Sequence, residues 1–164
     1  LCSGASARLA TVWDKDHKAA VQAALLRTGK PYAGDTWQRV ETALDQYGAQ
    51  WTAMHTEACQ ATRIRGEQSE ALLDVRMQCL ERRLTDLAAL TQLLLRAEPA
   101  WLVKVTKAAQ DLTPVGVCSD VLALTAPVPP PQLDEFLMPS EPELRVRDMA
   151  ALGWDEAAVY GRPA

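Results

Sequence analysis

Residues 36–63, TWQRVETALDQYGAQWTAMHTEACQATR, and residues 69–96, SEALLDVRMQCLERRLTDLAALTQLLLR, decide the fold. In the first stretch Trp37, Val40, Leu44, Tyr47, Trp51, Met54 and Ala58 recur at threes and fours, the spacing of one face of an α-helix. Asp35 or Thr36 is the expected N-cap. Gly48 interrupts the pattern at a cost of about 1 kcal/mol relative to Ala, which so long a stripe outweighs. In the second stretch Leu72, Leu73, Arg76, Cys79, Leu80, Leu84, Leu87, Leu90 and Leu94 form the matching stripe. Ser69 or Glu67 is its expected cap. At about 28 residues each, both helices span about 42 Å. The short connection around Gly66 folds them into an antiparallel hairpin.

Two shorter helices flank the hairpin. Asp14 and Asp16 precede strong helix formers running from Lys18 to Leu26, and Gly29 and Pro31 end that segment. Pro99 suits the first turn of a fourth helix whose buried face is Trp101, Leu102, Val105, Ala108, Ala109 and Leu112, stopped by Pro114. No alternating β-branched run and no Asn-Gly hairpin signal occurs. The expected fold is all-α: an antiparallel bundle of about four helices over residues 1–126, stapled by disulfides. The run Ala126-Pro127-Val128-Pro129-Pro130-Pro131 opens a stiff, acidic linker over 127–142. Residues 143–164 form a tail with a weaker helical pattern.

Composition narrows the function. Of 164 residues, 48% are hydrophobic, enough for a substantial core, and the net charge is −4 with both signs interspersed. A basic stripe for a phosphate backbone is missing, so nucleic acid is not an expected partner. No apolar run approaches the ~18 residues of a membrane span, and no signal peptide is visible. The chain starts at Leu1, which reads as part of a longer chain.

The four cysteines, Cys2, Cys59, Cys79 and Cys118, contain no CxxC pair, and His17 and His55 are not at metal-ligand spacing from them. No metal and no cofactor is expected. Cys59 and Cys79 are equally distant from Ser69, so a hairpin centred there puts them at one height and predicts a Cys59–Cys79 bridge. Cys2 and Cys118 would then pair, tying the two outer segments together and contributing about 4 kcal/mol through the unfolded state. Two such staples point outside the cytoplasmic membrane. Four buried reduced thiols are the competing reading.

Enzymatic readings find little support. Gly29-Lys30-Pro31 lacks the upstream glycine and strand of a phosphate-binding loop, and the kinase motifs are missing. Glu57 and Glu67 as an acid–base pair compete with their reading as ion-pair partners of Arg63, Arg65 or Arg76. His55 beside Trp51 and Met54 reads as a half-buried core histidine before a proton-transfer group. Trp13, Trp37, Trp51 and Trp101 read as core before pocket lining. The candidate ligand-binding residues are Arg63, Arg65, Glu67 and Arg76 near the hairpin turn, because arginine forks suit carboxylates and phosphates. The alternative pairs these arginines with Glu57, Glu67, Glu70 and Asp74 to fix the turn.

Several motifs occur in order: Val12-Trp13-Asp14, Thr28-Gly29-Lys30-Pro31-Tyr32, Glu57-Ala58-Cys59-Gln60-Ala61-Thr62-Arg63, Arg65-Gly66-Glu67-Gln68-Ser69, Arg76-Met77-Gln78-Cys79-Leu80-Glu81-Arg82-Arg83 and Cys118-Ser119-Asp120. Together, over about residues 2–126, they resemble the segment following the transmembrane helix in large serine/threonine protein kinases of myxobacteria and their relatives, which usually carry tetratricopeptide repeats. The resemblance implies a non-catalytic, extracytoplasmic sensor or protein-interaction domain tethered by an upstream transmembrane helix. Its partner would be an unnamed extracytoplasmic ligand or protein, or a second copy in a homodimer, with the membrane touched only through a segment outside this chain. The tail departs from the pattern: Ala151-Leu152-Gly153-Trp154-Asp155-Glu156-Ala157 matches a repeat helix only faintly. A secreted or lipid-anchored structural helical protein, with no kinase attached, is the alternative.

Overall fold

A computed structural model describes residues 2–126; the expected linker over 127–142 and tail over 143–164 lie outside the described residues. Two long helices make the frame: α3 (Ala33–Arg63) and α4 (Glu70–Leu95). Before them come α1 (Ala5–Ala10) and α2 (Lys15–Leu26). After them come α5 (Leu102–Gln110), a 3-10 turn (Val115–Ser119) and the short α6 (Val121–Thr125). The described residues contain no strand, and α2 lies against both long helices while α1 and α5 pack on α3. The described residues are therefore all-α, as the periodicity predicts.

Local chemistry sets the helix ends. Asp14 caps α2 by accepting from the His17 amide at 2.8 Å, and Ser69 caps α4 by accepting from the Leu72 amide at 3.2 Å. Gly66 takes φ 65°, a conformation costly for other residues. There the amides of Arg65 and Glu67 donate back to the carbonyls of Gln60 and Ala61, satisfying the end of α3. The start of α3 differs from expectation. It begins at Ala33, without a side-chain cap, because a turn from Lys30 to Ala33 runs straight into the helix. Asp35 sits in the first turn, where the helix dipole favours a carboxylate, and Thr36 is already helical, its hydroxyl donating to the Tyr32 carbonyl. The fourth expected helix starts later as well, at Leu102, after a turn through Pro99 and Ala100.

The stripes face each other across one core. Trp51, Leu44, Val40, Leu80, Leu87 and Leu94 are fully buried, with Val21 and Leu25 of α2, Leu102 of α5 and Val115 closing over them. Burying a Leu or Trp side chain contributes about 2 kcal/mol each, so this row is the main source of stability. The two central rings also fix the register. Trp51 Nε1 donates to the Leu80 carbonyl at 2.8 Å, and the Tyr47 hydroxyl donates to the Thr113 carbonyl at 3.1 Å and lies 3.4 Å from the Arg83 carbonyl. Gly48 has a role that periodicity does not reveal: a Cβ there would lie 2.9 Å from Leu9 Cδ2, so the glycine lets α1 lie directly on α3.

The bridges are Cys2–Cys59 and Cys79–Cys118, not the expected Cys59–Cys79 and Cys2–Cys118. The reason is register. With Trp51 opposite Leu80 and Tyr47 opposite Arg83, the hairpin folds about the Arg65–Gly66 step rather than about Ser69. Cys59 is then level with about Leu72, and Cys79 lies about 11 Å further along the axis. Each cysteine of the hairpin instead takes a partner from a terminal segment. Cys2 lies just before α1, which packs on α3, and Cys118 lies in the 3-10 turn, which packs on α3 and α4. No described cysteine is free. Two disulfides in so small a domain belong to an oxidising, extracytoplasmic environment. No helix among the described residues is long and apolar enough to cross a membrane.

Candidate functional site

The expected arginine cluster does not form one cationic surface. Arg65 lies at the turn with its Nε 2.8 Å from Glu67 Oε2 and its fork on Glu57. These two carboxylates neutralise it, and their hydrogen bonds, that of Glu67 foremost, raise its pKa above the ordinary arginine value. Arg63, on the last turn of α3, has only a loose contact with Glu70, at 3.6 Å. Arg76 turns inward and is 7% exposed. Glu57, Glu67 and Glu70 thus serve as ion-pair partners, whereas Asp74 and Arg76 do not pair with each other.

Arg76 is held entirely by neutral acceptors. Its Nε donates to the Cys118 carbonyl at 3.2 Å, Nη1 to Gln68 Oε1 at 2.9 Å and Nη2 to Met54 Sδ at 3.2 Å. Gln68 in turn donates to the Ala58 carbonyl at 2.8 Å and to Thr62 Oγ1 at 2.7 Å. This network joins the end of α3, the connection, α4 and the 3-10 turn. It is a structural knot, closed to a ligand. No sequence signal marks Gln68, because a neutral amide in a turn is neither charged nor nucleophilic.

A cleft of about 260 Å³ opens next to it, along the Cys2–Cys59 bridge. Ser3 of the N-terminal segment, His55 and Arg63 of α3, and Leu73, Asp74 and Met77 of α4 line it. Of the candidate ligand-binding residues only Arg63 belongs to this cleft. Leu73, Asp74 and Met77 share it because spacings of three and four bring residues onto one helix face. His55 is half-buried, its ring centroid 5.0 Å from that of Trp51. Burial disfavours its charged form and lowers its pKa; nearby Arg8 acts in the same direction and Glu81 opposes it. His55 therefore offers a neutral imidazole at neutral pH.

A wider groove of about 440 Å³ lies between the α1–α2 connection and α3, over Leu9, Trp13, Gly48 and Ala49. Apart from Lys15, its charged groups have partners. Trp13 Nε1 donates to Asp45 Oδ1 at 2.7 Å, Lys18 Nζ donates to Asp45 Oδ2 at 2.7 Å, and Asp14 holds His17. The indole of Trp13 also packs on Trp37, at 6.3 Å between centroids, and Trp37 and Trp51 are buried, so these rings are core. Among the described residues no group of His, Cys, Asp or Glu is arranged to hold a metal ion.

No family model, no curated protein and no solved structure matches this chain.

Proposed function

We propose that this chain is the extracytoplasmic sensor or protein-interaction domain of a membrane-bound bacterial serine/threonine protein kinase, and that it carries no catalytic step itself. The observation that supports this most is the covalent attachment of each terminal segment to a different long helix. The Cys2–Cys59 bridge fixes the N-terminal segment to α3, so a segment arriving from an upstream membrane span would be coupled to the hairpin without slack. The Cys79–Cys118 bridge does the same on the other side. The kinase attachment itself rests on the motif resemblance between residues 2 and 126.

Signalling through such a domain requires a ligand or partner that binds two arrangements of the domain unequally. The rigid hairpin would transmit the bias, and the bridged N-terminal segment would deliver it across the membrane.

The experiment is a topology and phosphotransfer assay on the whole natural gene product in membrane vesicles. After mild reduction, a membrane-impermeant thiol reagent should label this domain only from the outer face, and ATP-dependent phosphotransfer should occur only on the inner face. A product released without a span, or one lacking phosphotransfer, overturns the proposal in favour of a secreted or lipid-anchored structural protein.

A further inference from the structure

We infer that the cleft along the Cys2–Cys59 bridge binds a free α-amino acid, holding its carboxylate on Arg63 and its ammonium group on Asp74. The inference deepens the sensor reading and depends on it only for its consequence, not for the binding itself.

A cation and an anion line the same cleft, the cation held only by a loose pair with Glu70. Arg63 makes one contact, at 3.6 Å, and its side chain is 52% exposed. Asp74 meets no cation within 4 Å among the described residues, although it lines the same cleft. Closer ion pairs form at other places, between Arg65 and both Glu57 and Glu67, Lys18 and Asp45, and Lys107 and Asp111. A cation and an anion left facing one cavity are complementary to a ligand that carries both signs.

Helix geometry makes the two ends converge. Side chains lean toward the N-terminus of their own helix. In an antiparallel pair Arg63 therefore leans away from the turn, toward Cys59 and His55, and Asp74 leans toward it. Both residues line the cleft, one from each long helix. Between them the wall is apolar, formed by Leu73, Met77 and the bridge sulfurs, with the neutral imidazole of His55 at one side. An apolar wall flanked by a few placed polar groups is the usual composition of a small-molecule site. At about 260 Å³ the cleft is smaller than the ~300–1,000 Å³ of drug-sized sites, which suits a ligand of amino-acid size.

The site also adjoins the proposed signal path. One wall is the Cys2–Cys59 bridge and Ser3, so an occupant would touch the N-terminal segment and both long helices at once.

The test is titration calorimetry on the oxidised 164-residue chain with each proteinogenic L-amino acid, followed by the N-acetyl and C-amide forms of whichever binds. Saturable binding by at least one free amino acid is expected. Each derivative, having lost one charge, should bind at least about tenfold more weakly, as should Arg63→Gln and Asp74→Asn. Both substitutions are at exposed positions, so unchanged thermal melting will show that the fold is intact. The absence of saturable binding by any free amino acid overturns the inference. So does binding that survives both substitutions, or binding in which the derivatives match the parent. Should an amino acid bind without altering phosphotransfer in the whole gene product, the site stands and the sensor reading falls. Phosphotransfer from a chain that binds no amino acid removes the site alone.

Discussion

Trp51 Nε1 donates to the Leu80 carbonyl at 2.8 Å from a ring that is fully buried between the long helices. This is a side chain on one rod reading the backbone of the other, and it fixes both their distance and their register. A leucine at 51 would bury less surface and lose this hydrogen bond, leaving Tyr47 as the only one of the two central rings that bonds across the hairpin.

Trp51→Phe should cost about 2 kcal/mol. Loss of the hydrogen bond accounts for about 1 kcal/mol, and the cavity left by the smaller ring for about as much again. Urea unfolding with an unchanged m-value is the measurement. A cost below about 0.5 kcal/mol would show that the indole N–H does not set the register.

Non-reducing peptide mapping should recover fragments joining residue 2 to residue 59 and residue 79 to residue 118. Their sequence separations of 57 and 39 residues each correspond to about 4 kcal/mol of restricted unfolded-state entropy. Cys79→Ser with Cys118→Ser should therefore lower stability by several kcal/mol, with Cys2–Cys59 intact in the product. A fragment joining 59 to 79 would contradict the register.

The sequence shows the helices but not the cysteine pairing, for a reason of scale. Helices are local: Trp37 through Ala58 announce theirs by spacing, and Ser69 and Asp14 announce caps within four residues. A bridge depends on which residues face each other over tens of residues. Placing the fold point at Ser69 instead of the Arg65–Gly66 step moved the level of Cys79 by two turns. Short segments were missed for a related reason. α1 and α6 have six and five residues, too few for a period to show, and they are held by packing and bridges rather than by propensity. Gly48 was legible only as a flaw in a stripe, since its contact with Leu9 is tertiary. At the cleft, Arg63 was found from its charge, but Asp74 was assigned to an ion pair it does not make. The sequence places the two near one turn without telling which side chains turn inward.

Stability should fall with acid through His55. Burial favours the neutral imidazole, so the folded-state pKa lies below the ordinary value of about 6.5. Above the unfolded-state value this contribution is complete. As the pH drops below about 6.5 the unfolded chain takes up a proton that the folded chain resists, and stability is lost until the pH passes the folded pKa. The charged groups around the ring are Arg8 and Glu81, which pair with each other, with Arg63 and Asp74 across the cleft. Denaturation midpoints from pH 7.5 to 5 should therefore decline more steeply in the natural chain than in His55→Gln. Parallel profiles would remove the histidine from the acid response.

The last prediction separates charge from shape. Arg76 is 7% exposed, and its fork reaches three acceptors on three elements: the Cys118 carbonyl, Gln68 Oε1 and Met54 Sδ. None is a carboxylate, so the guanidinium stays buried because of its hydrogen bonds and not because of a counter-ion. Lysine would keep the charge, but its single ammonium group cannot reach all three of these separated acceptors, and it is more strongly hydrated. Arg76→Lys should accordingly destabilise by about 2–3 kcal/mol, close to the cost of leaving buried polar groups unmatched. Arg76→Met removes the charge with its desolvation cost and keeps much of the apolar stem, so it should cost no more than the lysine variant. Urea midpoints for both variants decide the matter. A lysine variant as stable as the natural chain would mean that the charge, and not the three-way fork, is what Arg76 adds to the Cys79–Cys118 bridge in holding the 3-10 turn against α4.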